Sequence, residues 1–169
     1  DYHHTNGFEH QPFLIYEKED PVIAHWGLIP HWTRSMDEKI EIWNKTLNAR
    51  GESIWEKPSF RDSAKHSRCL IGIDGFYEYH HFKKKNYPFY IHPKKGGGLT
   101  LGGLSSKWLN RETGELLNSF TIVTTRGNNL LSRLHNNPKL KEPRMPLILD
   151  SEEQEAWLHD EEVSKKLIY

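Results

Sequence analysis

Alternation of apolar and polar positions is clearest between residues 68 and 79. There Ile71, Ile73, Phe76, Tyr77 and Tyr79 are β-branched or aromatic side chains that suit a pleated, half-buried surface. Three more strand-like runs follow at 87–92, 99–108 and 117–125. The segments between them, KKKN, PKKGGG and NRETGE, are charged or Gly-rich, which is hairpin chemistry. Residues 13–15 and 22–29 predict short strands, the second running into WGLIPHW, and RMPLIL at 144–149 predicts another. Helical signals are brief. PSFRDSAKH, 58–66, puts Pro58 in a first turn, where a missing N–H does no harm. Residues 33–47 predict a loop with one or two helical turns, and 128–135 one or two turns more. SEEQEAWL, 151–158, has Ser151 and Gln154 at capping-box spacing. With no repeat and no low-complexity segment, the pattern predicts one α+β domain over residues 1–169. Its sheet is mostly antiparallel and barrel-like, with short helices packed outside.

Composition changes this picture in three ways. The chain has 169 residues, with 36 % hydrophobic residues and six tryptophans, enough for one sizeable core. Lys plus Arg and Asp plus Glu are both 23, so a nucleic-acid partner has to be met by a local patch rather than by net charge. A single cysteine, Cys69, excludes an internal disulfide and a multi-cysteine zinc site. No apolar run approaches the roughly 18 residues of a membrane span and no signal-peptide pattern opens the chain, which points to a reducing compartment, most simply the cytoplasm. The chain opens DYHHTNGFEH, without methionine, and further residues are expected ahead of Asp1.

Several side chains are candidates for chemistry. Glu78 stands in the apolar run IGIDGFYEYHH, where a carboxylate is costly unless paired, hydrogen-bonded or neutral. It either faces solvent from an edge strand or lines a pocket. Strict alternation favours the pocket, grouping Gly72, Asp74, Phe76 and Glu78 on one face and Ile71, Ile73, Gly75 and Tyr77 on the other. In NARGE, 48–52, Asn48 can donate and accept together and Arg50 suits a phosphate through its planar fork. The tryptophans of WGLIPHW, Trp26 and Trp32, serve as core or as a platform for unpaired bases. Cys69 lies in the apolar RCLIGI and reads as an inert core thiol. The eleven histidines show no third ligand at a metal-binding spacing, and KKK at 83–85 reads as a solvated turn.

Taken in order, WGLIPHW, NARGES, RCLIGIDGFYEY, FTIVTT and RMPLIL closely resemble the SOS response-associated peptidase family, proteins that bind abasic sites in single-stranded DNA. The resemblance covers about residues 13 to 158. It implies a DNA groove beside an active site in which a cysteine, directly after the initiator methionine, becomes the mature N-terminus. The amine and thiol of that residue capture the aldehyde of a ring-opened abasic site as a thiazolidine. By position, Asn48 matches the asparagine that holds the N-terminal residue, and Glu78 the active-site glutamate. Arg50 and Arg144 match arginines on the DNA backbone, and Trp26, Pro30 and Trp32 the hydrophobic wedge beside the lesion. Tyr79 stands where the family usually has Trp. The implied partner is single-stranded DNA containing abasic sites, bound by a monomer without cofactor or metal.

Two departures matter. The reactive cysteine is absent from these residues, so the alternative is a non-covalent single-strand binding module. General proteolysis lacks a second nucleophile here, whereas removal of the protein's own initiator methionine remains compatible with capture. The family also places a catalytic histidine two residues ahead of the Arg of RMP, and that position is Glu142 in HNNPKLKEPRMP. An insertion in NNPKLKEP, whose composition suits a surface excursion, makes His135 the equivalent. His135 is then expected near Glu78, with Glu142 turned to solvent.

Overall fold

The computed structural model describes residues 4–18, 20–134, 136 and 142–168. In chain order its elements are β1 (Pro12–Tyr16), β2 (Pro21–Trp26), α1 (Met36–Trp43), β3 (Asn48–Arg50), α2 (Arg61–His66), β4 (Arg68–Ile73), β5 (Phe76–Phe82), β6 (Lys85–Ile91), β7 (Leu99–Leu109), β8 (Leu116–Arg126), α3 (Asn129–Leu134), β9 (Arg144–Pro146), β10 (Ile148–Leu149), α4 (Ser151–His159) and α5 (Glu161–Leu167). Strand β7 pairs with β4, β4 with β1, β1 with β2, β2 with β8, and β8 again with β7. The sheet therefore closes on itself. Among the described residues only the contacts of β2 and β3 with β8 are parallel. Strands β3, β9 and β10 extend this closed sheet, while β5 and β6 form a separate antiparallel hairpin. The predicted barrel-like α+β architecture is the one observed.

Alternation within the strands divides the core in two. Ile15, Ala24, Cys69, Ile71, Leu101, Phe120 and Ile122 fill the barrel. Residues of the opposite parity, among them Leu104 and Val123, face outward and pack with Phe60, Leu149, Trp157 and Ile168 beneath the helices. The indole of Trp157, fully buried, donates to the carbonyls of Cys69 and Gly103 and so fixes α4 to the barrel wall.

Several predicted elements shift. The run 68–79 is two strands, β4 in the closed sheet and β5 in the separate hairpin, broken at Asp74 and Gly75, where a Cβ on Gly75 would lie 2.4 Å from the Ile91 carbonyl oxygen. The predicted alternation therefore does not carry through from Ile71 to Glu78. The run 22–29 ends at Trp26, since Gly27 takes φ +109°, a conformation that turns the chain out of the strand. Within 33–47 the helical turns gather into α1, capped by the Ser35 hydroxyl accepting from the Glu38 amide. Helix α2 begins at Arg61, three residues after Pro58. The capping box of α4 is Asp150 with Glu153, one residue earlier than Ser151 with Gln154. RMPLIL is divided into β9 and β10, and α5 was unforeseen.

Two buried arginines tie the periphery down. Arg68 is 2 % exposed and its guanidinium donates to the carbonyls of Ala64, Trp157 and Leu158, joining the ends of α2 and α4. Arg144, on β9, donates through Nη1 and Nη2 to the two carboxylate oxygens of Glu52 at 2.6 and 2.7 Å. Nη2 also donates to the Thr124 carbonyl on β8. The arginine holds the Glu52 carboxyl below the usual carboxylate range.

Glu52→Gln is expected to lower stability at neutral pH by about 2–3 kcal/mol, a fall in Tm of roughly 4–12 °C for a chain of this size. Because the folded carboxyl titrates low, its contribution is complete above the ordinary carboxylate range. It is lost as pH falls through that range and on through the lower folded value. Thermal melts of parent and variant should therefore converge in acid; a gap that stays constant would assign the stabilisation to another group.

Candidate nucleic-acid interface

The mouth of the barrel opens into a cleft of about 1140 Å³. Its floor is the upper layer of the barrel interior, with Phe13, Trp26, Ile71, Leu101, Phe120 and Ile122. Trp26 is half-buried, stacked on Phe120 with ring centroids 6.4 Å apart, and held by its Nε1 donating to the Leu47 carbonyl at 2.8 Å.

Polar groups form the rim. Strand β3 runs parallel to β8 with Asn48 beside Ile122 and Arg50 beside Thr124. Alternation buries Ala49 and leaves Asn48 and Arg50 exposed on the same side, both lining the cleft. Among the described residues, the Arg50 guanidinium has no ion-pair partner. Arg144 also lines the cleft, but its side chain is only 10 % exposed and its fork is engaged by Glu52 and Thr124. The wall therefore carries one compensated arginine and one that faces solvent.

Glu78 reaches the cleft from β5. It is half-buried, pairs across the hairpin with Phe89, and accepts a hydrogen bond from the Tyr79 amide at 2.9 Å. Tyr77, Tyr79 and Tyr90 line the same space. So do residues 4–6 of the chain, and the His4 ring meets Tyr77 edge-on with centroids 5.4 Å apart.

Asn48, Arg50, Glu78, Tyr79, Trp26 and Arg144 thus converge on one cleft. Pro30 and Trp32 do not line it. Pro30 is buried, and Trp32, 38 % exposed, donates from Nε1 to the Pro58 carbonyl at 3.3 Å. His135 lies outside the described residues. On either side of it, the Leu134 carbonyl accepts from His80 Nδ1, and the Asn136 amide bonds both the N–H and the carbonyl of His81. Glu142 is exposed, does not line the cleft, and lies 3.5 Å from Arg126. Cys69 is completely buried, and burial pushes its thiol well above the usual range. Among the described residues no cluster of His, Cys, Asp and Glu is suited to hold a metal.

Sequence reasoning missed Glu52, Tyr90 and residues 4–6 as parts of the site. Glu52 stands in the NARGE motif, but its partner lies 92 residues away. Tyr90 stands opposite Tyr77 because the hairpin turn is only Lys83–Lys84; the longer KKKN connection expected at 83–86 sets His92 there instead.

Known proteins show the same architecture. In a crystal structure of a Bacteroides thetaiotaomicron protein, 35 % identical, the match covers 97 % of this chain and 71 % of that one with a TM-score of 0.91. Abasic site processing protein YoqW of Bacillus subtilis is 40 % identical over 135 residues, 79 % of this chain and 55 % of its own length. Abasic site processing protein HMCES of Xenopus tropicalis is 31 % identical over 160 residues, 83 % of this chain and 45 % of its own length. The chain thus spans about half the length of these curated relatives. The profile of the SOS response associated peptidase (SRAP) family matches residues 4–168, a span that takes in the whole barrel and every described residue of the cleft, and the chain belongs to that family.

Proposed function

We propose that the cleft takes up an abasic site in single-stranded DNA, and that a form of the protein carrying an N-terminal cysteine captures it covalently. The supporting observation is convergence: Asn48 and Arg50 from β3 and Glu78 from β5 meet residues 4–6 of the chain in one cleft with an apolar floor. The names of the relatives point to the same lesion.

In this reading Arg50 takes a backbone phosphate through its fork, with Arg144 fixing the wall behind it. Trp26 supplies an apolar face where the missing base leaves a gap, and Tyr79 an aromatic neighbour. Asn48 positions the N-terminal residue by donating and accepting at once. The amine attacks the C1′ aldehyde of the ring-opened sugar, forming a C–N bond. The carbinolamine then loses its hydroxyl as water, with the proton supplied by Glu78 and the nitrogen's proton returned to the same carboxylate. The thiol adds across the resulting C=N bond, its proton passing to nitrogen, and the ring closes. His135 is the proposed shuttle for the proton that opens the sugar ring. Removal of the initiator methionine, which frees the amine, belongs to the same site. Cys69 is too deeply buried to act as the thiol. Without an N-terminal cysteine the same groove is a single-strand binding module; the intact mass and N-terminal sequence of the native protein separate the two forms.

Binding to single-stranded DNA should depend on salt despite the chain's zero net charge. Arg50 and two or three lysines, neutralising three or four phosphates, give a log–log slope of about −2 to −3. A slope near zero, or a double variant Arg50→Ala, Arg144→Ala that binds as tightly as the parent, would remove the groove assignment.

Glu78→Gln, in protein with its native N-terminus, should fold normally because shape is kept. Its crosslinking to an abasic single strand should slow on the order of 10²-fold, the scale of a lost general acid–base group. Gel assays of the covalent product over time provide the rate, and an unchanged rate would make Glu78 structural.

A further inference from the structure

The β5–β6 hairpin carries more exposed aromatic surface than folding requires. Tyr77, Tyr79, Phe82, Tyr87, Phe89 and Tyr90 are each 42–53 % exposed, within sixteen consecutive residues that form their own two-stranded sheet. Exposed apolar side chains grouped in this way mark a binding surface. Charge is segregated here too. Residues 76–98 hold five lysines, Lys83, Lys84, Lys85, Lys94 and Lys95, against one carboxylate, Glu78, in a chain whose overall charge is zero.

Register sorts the rings. Tyr77 opposes Tyr90 and Tyr79 opposes Pro88, and directly opposed residues project from the same face. Tyr77, Tyr79 and Tyr90 therefore share a face, with the Tyr77 and Tyr90 centroids 5.1 Å apart. Tyr77 and Tyr79 rise from it about 6.8 Å apart along the strand, roughly twice the 3.4 Å rise of stacked bases. That gap is one base thick. All three tyrosines border the cleft, as does Glu78 from the opposite face, so the cleft meets the hairpin along its edge and the tyrosine face runs from there to the tip, where Lys83 and Lys84 take left-handed conformations with φ 49° and 62°. The edges of the hairpin are unsuited to an added protein strand. Asn136 occupies the N–H and carbonyl of His81 on β5, and Pro88 interrupts β6.

We propose that this face is a second nucleic-acid surface, on which unpaired bases of the strand leaving the cleft stack against Tyr77, Tyr79 and Tyr90 while the surrounding lysines hold phosphates. The inference rests on the cleft's taking single-stranded DNA, and it adds a path for the flanking nucleotides. Aromatic rings accept any base because every base has a π-face, and cationic side chains beside them follow the backbone. The hairpin would then set the length of strand engaged without reading its sequence.

The test compares two single-stranded oligonucleotides, each with one central tetrahydrofuran abasic analogue, which cannot be captured. Their flanks are about two or about ten nucleotides a side, and binding is read by fluorescence anisotropy. The measured quantity is the ratio of the two Kd values, so any effect on the cleft itself cancels. Parent protein should prefer the longer strand, and Tyr79→Ala with Tyr90→Ala should reduce that preference about tenfold or more. Tyr79→Phe with Tyr90→Phe, which keeps the rings, should restore it. Lys83→Asn with Lys84→Asn, residues that tolerate the left-handed turn, should flatten the salt slope for the long strand by about 1.4, or 0.7 per lost phosphate contact. They should leave the short strand unchanged. Equal parental affinity for both lengths, or a long-strand preference that survives the alanine pair, would overturn this surface alone. Parent protein that binds neither oligonucleotide would overturn the cleft reading and this inference with it.

Discussion

The Arg144 guanidinium lies against the Glu52 carboxylate with both terminal nitrogens bonded, at 2.6 and 2.7 Å, and the cleft depends on that contact. It joins the turn that follows β3 to β9, and its third hydrogen bond, to the Thr124 carbonyl, ties both to the central strand β8. A bidentate pair fixes orientation as well as distance, because two parallel N–H···O bonds leave the planar groups little freedom. With a side chain only 10 % exposed, Arg144 has little water to replace a lost partner, so removing either member would strand the other. Strand β3 has three residues and one pairing neighbour. On its own it would hold Asn48 and Arg50 poorly. The ion pair at its end compensates for a sheet too short to be rigid.

That arrangement also decides how the cleft's charge is used. Arg144 is neutralised within the protein, while Arg50, two residues from Asn48 on the same face, lines the cleft without an ion-pair partner among the described residues. A cation beside an apolar floor is less screened than one on an open surface, so a single guanidinium can orient an anionic ligand strongly. The floor is the barrel's own interior layer, and Phe120 and Ile122 serve core and cleft at once. The site cannot loosen without loosening the barrel, which gives it the rigid support that a positioned reaction requires.

Much of this was legible in the sequence, and the failures have physical causes. The strands were readable because their apolar runs are bounded by charged or Gly-rich turns, although β7 and β8, eleven residues each, are buried on both faces through their centres. The division of 68–79 was missed because nothing in the local pattern reports that β4 and β5 pair in different sheets, the partners of each lying far along the chain. Helix α5 was missed because EEVSKKL is mostly polar; its place is set by Asp160 capping from the preceding turn and by Ile168 packing into the core. At the site, residue types in short motifs pointed to Asn48, Arg50 and Glu78. The motif WGLIPHW could not show which of its aromatic residues faces the cleft, since the Gly27 turn sends Trp26 to the barrel mouth and Trp32 toward Pro58. Spacing predicted neighbours, whereas chain reversal decided who met whom.

Net charge misleads for a related reason. A balance of 23 against 23 describes a neutral molecule only at distances beyond the Debye length, about 8–10 Å in ordinary salt. Nearer the surface the chain is polar. Between residues 150 and 162 there are seven carboxylates, Asp150, Glu152, Glu153, Glu155, Asp160, Glu161 and Glu162, and no lysine or arginine, while the hairpin segment reverses that sign. The acidic residues have structural employment at helix starts: Asp150 and Asp160 accept from the first amides of α4 and α5, where the helix dipole favours negative charge. The hairpin lysines cap nothing and, among the described residues, none pairs with a carboxylate. Charge retained for folding is found at helix ends, whereas charge left unpaired on an aromatic hairpin is available to a ligand. By that distinction, the basic side of this neutral protein is where a polyanion has reason to bind.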